Sequence, residues 1–113
     1  MLDKPKNAVK KLLPGHQDLS ETDVATARDY IRSYWHRLER FHPKDDESLL
    51  GLPKAYLVPA FEEGHDFDFN ELYYWDSYFM LQGLLDKEHK DLNIGVLENF
   101  TTLFKRLGSI PNA

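Results

Sequence analysis

Residues 71–85, with the sequence ELYYWDSYFMLQGLL, place the tightest constraint on how this chain folds. Read with a helical period, the apolar side chains cover most of the circumference of a helix that runs from about Leu72 to Lys87. A helix that is apolar nearly all round lies between other elements, in the centre of an assembly. One carboxylate, Asp76, sits among the aromatic residues, and we therefore expect Asp76 to be buried.

An amphipathic helix is predicted before this segment, over residues 21–41. Ser20 and Asp23 resemble a capping box, and an apolar stripe with spacings of three and four residues follows them. Pro43 predicts the end of this helix, because the residue before a proline avoids the helical region.

A third helix is predicted from near Leu92 to Gly108, where the glycine suits a left-handed C-terminal cap. The short link at residues 88–91 predicts an antiparallel hairpin of the second and third helices. We therefore predict an all-α fold made of helical hairpins.

A long loop is predicted from Pro43 to Asn70, with a short extended segment at residues 55–58. Loops of this length are uncommon in compact domains and are usually functional or disordered. Because apolar residues recur along this loop, we expect it to be packed down onto another part of the chain.

Composition narrows the class of protein. The chain has 113 residues, no cysteine and a net charge of −5, which predicts one domain at most, no disulfide and no nucleic-acid partner. No apolar run approaches the roughly 18 residues of a membrane helix, so no membrane partner is predicted. Residues 1–19 are interpreted as a basic N-terminal tail without a signal peptide, and a cytoplasmic location is expected.

Asp76 has two interpretations on pattern alone. In the first it is structural and accepts hydrogen bonds from a backbone amide or a tyrosine hydroxyl. In the second it belongs to a carbohydrate subsite, in which a ring such as Trp75 packs on the C–H face of a sugar and the carboxylate holds adjacent hydroxyls. An acidic stretch nearby is interpreted as a solvated loop, and neither a metal nor a cofactor is predicted: Glu62, Glu63, His65, Asp66 and Asp68.

The sequence Tyr73-Tyr74-Trp75-Asp76-Ser77-Tyr78 resembles the signature of the trehalase family of glycoside hydrolases. The segments around it are similar to that family as well, and they occur in the same order. They are Tyr34, Trp35 and Leu38, then Ser48 to Pro53, Tyr56 to Pro59, Leu97 to Phe100 and Gly108 to Asn112.

The resemblance implies that residues 20–113 are the N-terminal portion of an (α/α)6 toroid, and that the activity is inverting hydrolysis of α,α-trehalose or a related α-glucoside. It implies that five residues bind the sugar: Phe69, Tyr73, Trp75, Asp76 and Asn112. Inverting enzymes use two carboxyl groups as acid and base. By resemblance both lie beyond Ala113, so no catalytic residue is expected within this chain. The partner of this chain is then the remainder of a catalytic domain. The alternative to a hydrolase fragment is a small non-catalytic helical module that binds a sugar or a protein.

One residue departs from the family pattern. Asp68 stands where the family has an arginine that contacts the sugar. An acceptor in place of a bidentate donor reverses the hydrogen bonding required of the sugar, so the substrate preference is expected to differ or the donor to come from elsewhere.

Overall fold

The computed structural model describes residues 18–61, 63–64 and 69–113. In chain order the elements are helix α1 (Glu21–Leu38), strand β1 (Glu39–Arg40), strand β2 (Tyr56–Leu57), helix α2 (Tyr74–Gln82) and helix α3 (Lys90–Leu107). None of the helices in this part of the chain combines the length and the apolar character that a membrane crossing requires. The predicted basic tail lies almost wholly outside the described residues.

The chain divides into two compact units, residues 1–33 and 34–113, and the boundary falls within α1. In the first unit the predicted capping box is confirmed. The Asp23 carboxylate accepts a hydrogen bond from the Ser20 backbone N–H (2.9 Å), and the Ser20 hydroxyl accepts one from the Asp23 N–H (3.1 Å). These reciprocal bonds satisfy backbone donors that a helix start leaves unpaired, so α1 begins where the sequence predicted.

The predicted end of the first helix, at residue 41, is wrong. The helix ends at Leu38, and β1 pairs antiparallel with β2, with Glu39 opposite Leu57 and Arg40 opposite Tyr56. The Leu38 carbonyl, at the end of the helix, accepts a hydrogen bond from the Val58 N–H (2.9 Å). The loop therefore stops the helix by offering its backbone as a partner, a long-range effect that local periodicity does not show.

Helix α3 is the element around which the second unit is built. Its buried face carries Val96, Asn99, Phe100 and Leu103, and it packs against β2. Gly108 caps it in the left-handed conformation (φ 75°), and its N–H donates to the Phe104 carbonyl (2.8 Å), which confirms the predicted end of this helix.

The long loop packs onto α3, as predicted. Its residues Leu52, Tyr56, Leu57 and Val58 are buried in the core with Leu72, Leu84 and the apolar residues of α3. The loop crosses α3 so closely that a Cβ atom at Gly95 would lie 3.1 Å from the Lys54 Cβ, which favours glycine there.

Arg106, in the last turn of α3, holds the start of the loop. Its guanidinium donates two hydrogen bonds to the Asp45 carboxylate (3.0 and 2.8 Å) and one to the Gly51 carbonyl (3.2 Å). The Gly51 N–H also donates to Asp45 (2.6 Å). This set of bonds closes residues 45–51 into a compact turn against the end of α3.

Helix α2 is shorter and more exposed than predicted. It spans nine residues, and its only buried residue is Ser77. Tyr74 near its start contacts Phe100 in the second half of α3, whereas Leu84 after its end accepts a hydrogen bond from Asn93 in the first half. The two helices therefore run in opposite directions, as the hairpin prediction required. The expectation of all-round burial is wrong for this chain, because the loop and α3 fill the core and cover only one side of α2.

Ser77 gives a test of this packing. Its side chain is 2% exposed, and its hydroxyl has no hydrogen-bond partner among the described residues. A buried unpaired hydroxyl costs roughly 1–3 kcal/mol. We expect Ser77→Ala to unfold at a higher temperature than the parent, measured by circular dichroism. Ser33→Ala, an exposed serine in α1, controls for the gain in helix propensity, and a lower midpoint for Ser77→Ala than for this control would contradict the account.

The Asp45–Arg106 pair predicts that the stability of the fold depends on pH. Hydrogen bonds from the Arg106 side chain and from the Gly51 backbone N–H lower the pKa of the Asp45 carboxyl group below its usual value of about 4. A carboxyl group whose pKa is lowered on folding stabilises the fold above its unfolded pKa, and this contribution is lost as the pH falls through the folded pKa. Asp45→Asn should therefore be less stable than the parent in urea at pH 7, and the difference should shrink towards pH 2.5.

Glu47→Gln is the matched control for Asp45→Asn. Glu47 lies in the same loop and makes no hydrogen bond or ion pair in the described part of the chain, so its loss of charge should leave stability nearly unchanged at both pH values. A difference between Asp45→Asn and the parent that persists unchanged at pH 2.5 would contradict the role given to the carboxylate.

Candidate functional site

The start of α2 brings several of the predicted sugar-binding residues together. Phe69 packs edge-to-face on Tyr73, the residue immediately before the helix, with ring centroids 5.5 Å apart. The Tyr74 N–H donates a hydrogen bond to the Asn112 carbonyl (2.9 Å). Phe69 and Tyr73, four residues apart, and Asn112, which is far from them in sequence, therefore lie at one end of a helix.

Trp75 and Asp76 follow in the first turn of α2, and both are exposed. The Trp75 ring is 63% exposed and contacts Tyr74 edge-to-face, with centroids 5.6 Å apart. Asp76 has no hydrogen bond or ion pair with a described residue. The expectation that Asp76 is buried is therefore wrong for this chain, because it lies on the side of α2 that the core leaves uncovered. An open carboxylate offers its lone pairs to a ligand instead of to the protein.

At this end of the helix the Tyr73 phenol can donate a hydrogen bond, and the nearby carboxylates can accept one. Partial burial, with smaller contributions from the charges of Glu71 and Asp76, raises the pKa of the Tyr73 phenol. Tyr73 therefore stays protonated and able to donate a hydrogen bond at physiological pH. The exposed Asp76 carboxylate, an acceptor, and the Tyr73 phenol, a donor, suit the hydroxyl groups of a sugar, each of which donates and accepts.

An open apolar groove runs beside these residues, between α2 and α3. The part of the groove beside the start of α2 is a cavity of about 340 Å³ lined by Tyr74, Trp75, Tyr78, Leu81, Leu97 and Phe100. The sequence did not predict this groove, because the same side chains were expected to lie inside the core.

Two residues that position the loop were missed by sequence reasoning. Asn99 and Tyr56 are 0% and 2% exposed, and both make side-chain hydrogen bonds to backbone groups. The signal for Asn99 was present, since it is a polar residue on the apolar stripe that contains Val96 and Leu103. No comparable signal marked Tyr56.

The acidic stretch lies mostly outside the described residues, which include only Glu63 of its five acidic and histidine positions; Asp68 is among those left out. Within the described ranges, no group of three or more histidine, aspartate or glutamate residues is arranged to hold a metal ion.

Comparison with known proteins identifies the family. The model of the family described as trehalase matches residues 4–113. The chain is 38% identical over 101 residues to a periplasmic trehalase of Xanthomonas axonopodis pv. citri (strain 306), and to the same degree to a periplasmic trehalase of Xanthomonas oryzae pv. oryzae (strain MAFF 311018). Each alignment covers 88% of this chain and 16% of the relative, so the chain spans about a sixth of the length of these proteins.

These relatives overturn one prediction. Both are described as periplasmic, and the expected cytoplasmic location is therefore wrong. That expectation rested on the lack of a signal-peptide pattern in the first residues, which says little for a sequence that covers so small a share of its relatives. The family model matches residues 4–113, which is nearly the whole chain, and the chain therefore belongs to the trehalase family.

Proposed function

We propose that this chain supplies sugar-binding residues to a trehalase-like glycoside hydrolase that hydrolyses α,α-trehalose or a related α-glucoside with inversion. The names of the relatives favour the periplasm as its location. The observation that carries the proposal is the arrangement at the start of α2, where an exposed Trp75 ring and an open Asp76 carboxylate lie in one helical turn, next to the contact between Tyr74 and Asn112.

Each of these groups has a part in binding. The Trp75 ring packs against the apolar C–H face of a pyranose, which is a contact that buries apolar surface. The Asp76 carboxylate accepts hydrogen bonds from two adjacent hydroxyls, and Tyr73 donates one. Phe69 orients the Tyr73 ring through their edge-to-face contact.

The general acid and base are proposed to lie outside this chain. Inversion requires two carboxyl groups roughly 6.5–9.5 Å apart, with a water molecule between one of them and the sugar. By family resemblance both come from a later part of the catalytic domain. Asp76 then binds the substrate and transfers no proton.

The exposed apolar surface supports a larger catalytic domain. Helix α3 buries Val96, Phe100 and Leu103 in the core, yet four of its apolar residues are exposed: Ile94, Leu97, Phe104 and Leu107. On α2, Tyr78 and Phe79 are exposed as well. Tyr78, Ile94 and Leu97 line one open groove. An exposed apolar patch of this kind marks an interaction surface, which further helices of an (α/α)6 toroid would cover.

A mutation of Asp76 tests the proposed binding role. In the protein at its natural length, Asp76→Asn should lower kcat/KM for α,α-trehalose by roughly 100-fold, because a neutral amide replaces a charged acceptor of two hydrogen bonds. The melting temperature should stay unchanged, since Asp76 makes no bond within the described part of the chain. Asp91→Asn, an exposed aspartate in the first turn of α3, is the charge-matched control. A folded Asp76→Asn protein with full activity would contradict the proposal.

The mass of the protein made by its source cell separates the enzyme from the alternative, a small binding module. If the chain is part of the enzyme, the natural protein should have a mass several times the 13.3 kDa of this chain. Mass spectrometry of the intact protein measures this. A natural protein of 13.3 kDa that is monomeric and folds cooperatively would favour the module instead, because its exposed face would then need no covering.

A further inference from the structure

We propose that the Tyr56 hydroxyl is a positioning group for the sugar-binding start of α2. Tyr56 is 2% exposed and donates a hydrogen bond to the Asn70 carbonyl (2.5 Å), four residues before the first residue of the helix. The inference rests on the proposed function, since it takes the start of α2 to be the part that binds the sugar.

Tyr56 is itself fixed against α3. The Asn99 side chain accepts a hydrogen bond from the Lys54 N–H (3.0 Å) and donates to the carbonyls of Lys54 (2.8 Å) and Ala55 (3.4 Å). On its other side, Tyr56 pairs with Arg40 in the short antiparallel ladder. The hydroxyl therefore projects from a segment held at both ends.

The start of α2 needs such a support. Tyr73, at the N-cap, makes no side-chain capping hydrogen bond, so the usual local device for fixing a helix start is missing. Two long-range bonds take its place: Tyr56 holds Asn70, and the Tyr74 N–H donates to the Asn112 carbonyl. Between these two points lie Glu71, the buried Leu72 and Tyr73.

The Tyr56 hydroxyl is suited to this role. Burial raises the pKa of the phenol, so it remains a donor throughout the physiological range. Without the hydroxyl the Asn70 carbonyl loses its partner, and the backbone at residues 70–73 is free to open. Opening there moves Tyr73, Trp75 and Asp76 away from the geometry that a sugar requires, and a displacement of about 1 Å can cost on the order of 100-fold in rate.

Hydrogen exchange on the protein at its natural length tests the proposal. Tyr56→Phe keeps the buried ring and removes only the hydroxyl. We expect amide exchange in residues 70–78 to become roughly tenfold faster, while exchange in α3 stays unchanged. The KM for α,α-trehalose should rise several-fold, with a smaller change in kcat.

Two variants serve as matched controls. Tyr34→Phe removes a hydroxyl that donates to the Phe61 carbonyl, so the same chemical change is made at another point of the loop. Asn70→Ala removes the side chain at residue 70 but leaves the backbone carbonyl that Tyr56 contacts. Neither variant should speed exchange in residues 70–78.

Several results would overturn the proposal. Uniformly faster exchange in Tyr56→Phe, including α3, would mean that the hydroxyl stabilises the whole core, as would a Tyr56→Phe protein that fails to fold when Tyr34→Phe folds. A local increase with unchanged KM would remove the link to sugar binding. If the unsubstituted protein does not hydrolyse trehalose, the proposed function fails, and the exchange data still decide whether Tyr56 holds the start of α2.

Discussion

The side-chain amide of Asn99 is the contact on which the rest of the second unit depends. It is fully buried, and it satisfies one N–H and two carbonyl groups of the loop where that loop crosses α3. A buried amide with its hydrogen bonds satisfied fixes one arrangement of the chain, because every shifted register would leave polar groups unpaired. The loop held in this way positions β2, which pairs with β1 directly after α1 ends at Leu38. The same loop carries Tyr56, whose hydroxyl donates a hydrogen bond to the Asn70 carbonyl ahead of α2.

Local sequence signals predicted the helix ends that local interactions determine. The capping box at Ser20 and Asp23 and the left-handed cap at Gly108 both depend on residues within one turn, and both are where the sequence placed them. The predicted end of α1 was wrong because a contact with a distant part of the chain determines it. Strand β1 forms only because residues 56 and 57 lie beside it, and no pattern within residues 39–41 contains that information.

The site residues were predicted by resemblance to a family, and the structure brings Phe69, Tyr73 and Asn112 to the end of the helix that carries Trp75 and Asp76. The spacing of apolar residues did not predict burial on α2. It shows which faces of the helix are apolar, but not which of those faces other parts of this chain cover. Asp76 is consequently open, and its aromatic neighbours line a groove. The hydrogen bond between Tyr56 and Asn70 joins residues 14 apart through a packed loop, and no local sequence pattern marks it.

The most direct test is to identify, by proton NMR before the anomers equilibrate, the sugars that the natural-length protein releases from α,α-trehalose. Inversion at one of the two anomeric carbons predicts equal initial amounts of α- and β-glucose, because the leaving sugar keeps its α configuration. Release of α-glucose alone would contradict the inverting mechanism. Absence of any glucose from an intact, folded protein would contradict the assignment of the start of α2 to a trehalose subsite.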